Sequence, residues 1–259
     1  MVPVHHLRLL PHDDKLFVID EKSPELSSED AKKFHTAVAK ILYLSKRTRV
    51  DVLLTTSFLC SRVLKPTEED WKKLVKLHQY LKGTCDKGLR FVHGPLNIAV
   101  YGDAGYLVHP GALSRTGIVV MINGGIVSGV SAKQKEVCKS STESELVALC
   151  TTVSCALALR EFLKYQSMET VSSKCIKVLQ DNQSVLAMIK NGKPNSARTK
   201  HISMRYFFTV QHVRNGKVDI QWVSTKEMLA DIMTKPLVNA RFYENRDALV
   251  IELPSTVCV

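Results

Sequence analysis

The chain reads as a mixed α/β sheet with helices on both faces, preceded by a small helical module. Three observations predict this. From residue 95 onward, strand-length and helix-length apolar runs follow in the order β-β-β-α-β-α-α-β-α, an antiparallel meander feeding α/β crossovers. An Asn123-Gly124-Gly125 turn joins two of the strand-like runs, the strongest short-range hairpin signal. From residue 28 to residue 94 the periodicity is helical, and the helix starts carry capping residues.

Residues 1–27 are polar and proline-punctuated and read as an extended lead-in. The next helix begins at Ser27 or Ser28, with Glu29 and Asp30 in its first turn and Phe34, Val38, Ile41 and Leu42 at helical spacing. An apolar stretch, Val52–Val63, follows. Thr67 then caps a helix whose first turn, Glu68, Glu69 and Asp70, opposes the dipole, whose stripe is Trp71, Leu74, Leu77 and Leu81, and which Gly83 ends. Lys72, Lys73, Lys76 and Lys82 decorate it.

The texture changes at Gly94-Pro95. LNIAVYGD alternates like a strand, and RTGIVVMINGGIVSGVS forms the hairpin. A strand-like EVCKSS leads into a long helix over residues 142–165, capped by Ser140 or Ser141. Strand CIKVLQ runs into Asp181, and helices NQSVLAMIKN and ISMRYFFTVQHVR follow. Strand KVDIQWV and a pair of helices, one each side of Pro236, complete the pattern. The expected organisation is therefore 28–94 for the helical module, 95–250 for the sheet domain and 251–259 for a tail.

Four carboxylates fall where such a sheet gathers side chains into one cleft. Asp103 and Asp181 end strand-like runs, while Glu145 and Asp231 stand at or near helix starts. Hard divalent cations take oxygen ligands, and phosphoryl transfer by two such ions needs them roughly 3.5–4 Å apart. Three or four carboxylates converging from different elements can hold that pair, which points to Mg2+ or Mn2+, two ions. Glu143 stands three residues after Ser140 and matches a capping box, so the ligand is placed at Glu145.

A net charge of +11 favours a polyanionic partner. Residues 1–95 hold 17 Lys/Arg against 12 Asp/Glu, and the rest hold 19 against 13, so both halves share the excess. Lys190–Val218 contains no acidic residue. Arg198, Lys200, His201, Arg205 and Lys217 within it are the candidate contacts to a phosphate backbone. Seven cysteines without CxxC or zinc-ligand spacing fit a reducing, intracellular compartment. No apolar run is read as a membrane span.

YGDAGY, SRTGIVVMINGGIVSGVSAKQKEVCKSSTESELVAL, DNQSVLAMIKN, ARTKHISMRYFFTVQHV and VSTKEMLADIMTKPL closely resemble, in order, the ribonuclease H region of Ty1/copia-type retrotransposon polyproteins. The earlier FHTAVAKILYLSKRTRVDVLL and KPTEEDWKKLVKLHQYLKGT resemble the thumb or connection segment that joins the polymerase part of a reverse transcriptase to its ribonuclease H. The resemblance covers about residues 30–250. It implies a ribonuclease H-like fold and two-metal hydrolysis of the RNA strand of an RNA–DNA hybrid. By motif, the ligands are Asp103, Glu145, Asp181 and Asp231. It also implies the cytoplasm, within a virus-like particle, or the nucleus, and a partner in the polymerase part.

Two departures stand out. Where the family writes D-A-D or D-A-S, this chain has Asp103-Ala104-Gly105, and it has no YxDD polymerase motif. It is expected to be the C-terminal portion of a reverse transcriptase, either a fragment or an element remnant. A non-catalytic nucleic-acid-binding or assembly remnant is the alternative, which four intact carboxylates oppose. A transposase or integrase would need a D-D-E order, whereas this chain has D-E-D-D. If the basic stretch touches phosphates, replacing Arg198 and Lys200 together should flatten the salt dependence of nucleic-acid binding by about one to two log–log units. A salt titration of hybrid binding checks this; an unchanged slope places the contact surface elsewhere.

Overall fold

A computed structural model describes residues 9–166, 175–191 and 203–253. The chain forms two compact units, Met1–Leu89 with Pro236–Val259 and Arg90–Lys235.

The first unit is built on α1 (Ser28–Arg47), α2 (Leu53–Cys60) and α3 (Glu68–Gly83). Ser27 caps α1 through the Asp30 amide, and Thr67 and Asp70 close a reciprocal capping box on α3, as the spacing predicts. The apolar face of each helix is buried: Phe34, Val38 and Ile41, then Leu53, Leu54 and Phe58, then Leu74, Leu77 and Tyr80. One buried polar network crosses this core. Arg49 pairs with Asp51 at 2.9 Å, donates to the Thr84 carbonyl at 2.7 Å, and Tyr80 Oη donates to Asp51 at 2.6 Å. A buried ion pair persists only when its remaining donors and acceptors are satisfied in this way.

The unit differs from the sequence expectation in two places. The lead-in is not merely extended: Leu16 and Phe17 are buried, Lys73 Nζ donates to the Leu16 and Val18 carbonyls, and His12 bonds Thr55 at 2.7 Å. These anchors are single side chains without a period, so no pattern announces them. The last helix, α7 (Asn239–Leu249), joins this unit and not the sheet domain that 95–250 would give it. Buried Phe242 lies edge-on to His12 and to Tyr80. Short strands β1 (Lys87–Gly88) and β7 (Ile251–Glu252) pair antiparallel beside it.

The second unit is a five-stranded mixed sheet in the order β4-β3-β2-β5-β6. Its strands are β2 (Ile98–His109), β3 (Leu113–Ile122), β4 (Gly125–Lys133), β5 (Ile176–Gln180) and β6 (Val218–Trp222). The first three form an antiparallel meander, and β5 and β6 add in parallel. The hairpin turns at Asn123 and Gly124, both with positive φ (48° and 75°), which is why Asn-Gly stands there. With α4 (Ser141–Tyr165), α5 (Gln183–Asn191) and α6 (Ser203–Arg214) around it, this is the ribonuclease H-like architecture the resemblance implies.

The long helix α4 has the length and apolarity of a membrane span, contrary to the reading of the sequence as having none. Here Leu146, Leu149, Val153 and Ala156 are buried in one core with Val100, Ile118 and Val178 of the sheet. Of the strand-like stretch EVCKSS, residues 136–141, Ser141 opens α4 and the first five lie in a loop over 134–140. Side chains hold it: Gln134 Nε2 donates to Thr116 Oγ1 and to the Ser144 carbonyl, and Cys138 Sγ donates to Gln134 Oε1. The first of the two helices placed around Pro236 is instead a 3-10 turn, Leu229–Met233.

That turn reaches the sheet through glycines. A Cβ on Gly117 would stand 2.8 Å from the Ala230 carbonyl and from Met233 Cβ, and one on Gly105 would stand 2.7 Å from the Thr234 carbonyl. A Gly117→Ala substitution should therefore destabilise the protein by about 1–3 kcal/mol, the usual cost of overpacking. Urea unfolding followed by circular dichroism measures it; a neutral substitution would show that the turn is free to retreat.

Candidate metal centre

Parallel pairing of β2 with β5 sets the position of two carboxylates. Tyr101 pairs with Leu179, and Asp103 and Asp181 lie two residues further along each chain. The third, Glu145, comes from the second turn of α4. Gly102 lets that helix close on β2, since a Cβ there would overlap the Thr152 side chain. One oxygen each of Asp103, Glu145 and Asp181 lie within 4.8 Å of one another. Asp103 and Glu145 are buried and Asp181 is half-buried.

The fourth residue, Asp231, is also buried but stands outside this group of three. It lies inside the 3-10 turn and does not open a helix. Lys235 Nζ meets Asp231 Oδ1 at 2.6 Å and the Asp103 carboxylate at 3.4 Å, so one ammonium bridges the two acids. Thr234 Oγ1 donates to Asp103 Oδ2. The Asp231 carbonyl in turn accepts from the Thr234 and Lys235 amides at 3.1 and 2.9 Å.

Sequence reasoning passed over Lys235, Thr234 and Gln180. Lys235 follows Asp231 by four residues, an acid-then-base spacing that brings side chains together over one helical turn. Gln180 is fully buried; its Nε2 donates to Glu145 Oε2 at 3.4 Å, and its Oε1 accepts from the Asp181 and Asn182 amides at 2.8 and 3.1 Å. It ties the end of β5 to α4. Glu143 takes part in the cap its spacing predicts, since its amide donates to Ser140 Oγ, while its Oε2 accepts from the Lys139 amide, one residue before the N-cap. Thr225 Oγ1 donates to Asp181 Oδ2 at 3.0 Å.

Of the basic candidates, Arg198, Lys200 and His201 lie outside the described residues. Arg205 is half-buried and pairs with Glu136 at 2.7 Å. The Lys217 carbonyl accepts from Ile176 and from Arg160, and its side chain is partly exposed.

The electrostatics follow from burial. Desolvation, with Asp103 and Asp181 alongside, pushes Glu145 up to about 9. Desolvation raises Asp103 to about 6 even though Lys235 opposes the shift. Burial alone would lower Lys235, but Asp103 and Asp231 outweigh it and raise it. An all-oxygen donor set of like charges held this close suits a hard divalent cation.

A mixed sheet in this strand order, with carboxylates gathered from its central parallel strands and the helix crossing them, defines a ribonuclease H-like domain. The homologues of this chain are Ty1/copia-type retrotransposon polyproteins. It is 30% identical over 228 residues to the retrovirus-related Pol polyprotein from transposon RE2 of Arabidopsis thaliana, and the match takes in 87% of this chain. It is 27% identical over 229 residues to the transposon Ty1-JR2 Gag-Pol polyprotein of Saccharomyces cerevisiae, across 85% of the chain. The matched segments amount to 15% and 13% of those polyproteins. No family model matches the chain. Among solved structures, the N-terminal RNase H domain of a Mycobacterium tuberculosis protein aligns with TM-score 0.41 and 14% identity, over 54% of this chain and 91% of that one. A foamy viral protease-reverse transcriptase in complex with dsDNA aligns with TM-score 0.43 and 16% identity, over 77% and 42%.

The raised Glu145 carboxyl gives a pH prediction with a definite sign. In EDTA the folded protein keeps a proton on Glu145 that the unfolded chain has released. That contribution is complete below the ordinary value of 4.5 and is lost as pH rises towards 9. Below about 6.5 His109, lowered to about 4 chiefly by burial, acts in the opposite sense. Thermal melts in EDTA should therefore fall between pH 7 and 9, and Mg2+ or Mn2+ should reverse the fall by binding the folded state. A flat profile over that range would contradict the assigned environment of Glu145.

Proposed function

We propose that this chain is a metal-dependent endoribonuclease that hydrolyses the RNA strand of RNA–DNA hybrids, as the ribonuclease H part of a retrotransposon reverse transcriptase. The observation that carries the reading is the convergence of Asp103, Glu145 and Asp181, from three different elements, within 4.8 Å. Homology to retrotransposon polyproteins supports the choice of substrate. Asp103, Glu145 and Asp181 would hold Mg2+ or Mn2+, with Asp231 entering from the adjoining turn. Two such ions, when bound, activate a water and stabilise the leaving 3′-oxygen.

The residues around them have separable tasks. Thr234 holds one Asp103 oxygen, Gln180 orients Glu145 against the end of β5, and Thr225 steadies Asp181. Arg198, Lys200, His201, Arg205 and Lys217 are proposed to meet the backbone of the hybrid. In this reading, shape and 2′-hydroxyls are recognised in preference to sequence. The polymerase part of the reverse transcriptase is the proposed partner.

The test is incubation of the chain with labelled RNA–DNA hybrid in Mg2+, in Mn2+ and in EDTA. Cleavage should require the metal. Loss of a residue that merely orients a ligand costs about 10–100-fold, so Asp181→Asn, which removes a ligand charge, should cost at least about 100-fold in cleavage. Hybrid binding should persist. Full activity in that variant would be incompatible with the proposal, and hybrid binding without metal-dependent cleavage in the parent chain would favour the non-catalytic remnant.

A further inference from the structure

Lys235 has no part in the tasks just described, yet it stands between Asp103 of the acidic group and Asp231. Its ammonium lies 2.6 Å from Asp231 and 3.4 Å from Asp103, so it neutralises the pair of carboxylates that could flank a second cation. The Asp103 and Asp231 side chains are 1% and 4% exposed, whereas that of Lys235 is 38% exposed. Asp103 is fixed in strand β2 and by Thr234 Oγ1, and Asp231 by the packing and backbone bonds of its turn. The lysine alone has a flexible four-carbon stem and an open route to solvent. If anything in this corner moves, it is Lys235.

We propose that Lys235 is an internal counter-cation whose ammonium must swing outward before Asp231 can join the other carboxylates around a divalent ion. The inference rests on the metal-dependent reading and adds an order of events to it. The group of Asp103, Glu145 and Asp181 is already assembled, so one ion binds without rearrangement. A second position, shared by Asp103 and Asp231, opens only when two ion pairs break. The site therefore fills in two unequal steps, and Lys235 sets the cation concentration at which the second is reached.

The test counts bound Mn2+ on the full chain by the paramagnetic resonance signal of the free ion, without reference to activity. The parent chain should bind two Mn2+ with affinities separated by tenfold or more. Lys235→Met keeps the length and removes the charge; it should tighten the weaker step roughly tenfold more than the stronger one. Asp231→Asn should leave a single Mn2+ bound at the stronger affinity. Equal tightening of both steps, no tightening, or two ions bound by Asp231→Asn would each overturn the role of Lys235 while leaving the nuclease reading intact. Absence of Mn2+ binding in the parent chain would overturn both. Should Lys235→Met fail to fold, Lys235→Gln, which also removes the charge, takes its place in the same titration, with the same outcomes deciding.

Discussion

The second unit is organised around the repulsion of carboxylates that its own sheet forces together. With one oxygen of each within 4.8 Å of the others, each charged pair would cost roughly 3.5 kcal/mol at an effective dielectric near 20. The protein answers this in two ways. It retains a proton on Glu145, whose carboxyl is raised to about 9, and it places the Lys235 ammonium against Asp103 and Asp231. A site that must be neutralised by protons and an internal lysine is one that a hard cation would relieve, so metal affinity and folding stability are linked in the same residues.

Those compensating groups depend on close backbone approach. The turn carrying Asp231, Thr234 and Lys235 can lie on the sheet because Gly105 and Gly117 present no Cβ to it, and α4 can bring Glu145 down because Gly102 leaves room for Thr152. Gly117 pairs directly with Asp103 across the ladder, so the space that admits the turn is adjacent to the acid it serves. A side chain at any of these three glycines would displace a carboxylate or its counter-charge. The two glycines of YGDAG, Gly102 and Gly105, thereby have a physical role that does not involve a positive φ.

Much of this was legible in the sequence because it follows short-range rules. The five strands, the Asn123-Gly124 turn, the caps at Ser27, Thr67 and Ser140, and the separate task of Glu143 are all written in local spacing. What escaped is long-range and singular. The stretch EVCKSS has the composition of a strand, but the loop it lies in is held by side-chain hydrogen bonds in place of a ladder. The segment 229–233 has helical periodicity but is drawn into a 3-10 turn against glycines more than a hundred residues earlier. Helix α7 packs on Tyr80 and His12 of the first unit, a partnership no window of sequence contains. The four carboxylates were visible one by one; that three converge directly and the fourth does so through a lysine needed coordinates.

The difference in support among the four acids has a functional consequence. Asp103 and Asp181 ride on neighbouring parallel strands, and Glu145 on a helix buried along that same sheet, so their spacing is fixed by the most rigid part of the unit. Asp231 rides on a one-turn element held to the sheet by Thr234, by Lys235 and by Ser131 Oγ of β4, which donates to the Met233 carbonyl. Precision is thus concentrated where strands and helix hold three of the acids, and the freedom in this corner belongs to the Lys235 side chain, 38% exposed against 1% and 4% for Asp103 and Asp231. A single exposed side chain, Lys235, therefore stands between the fourth acid and the other three.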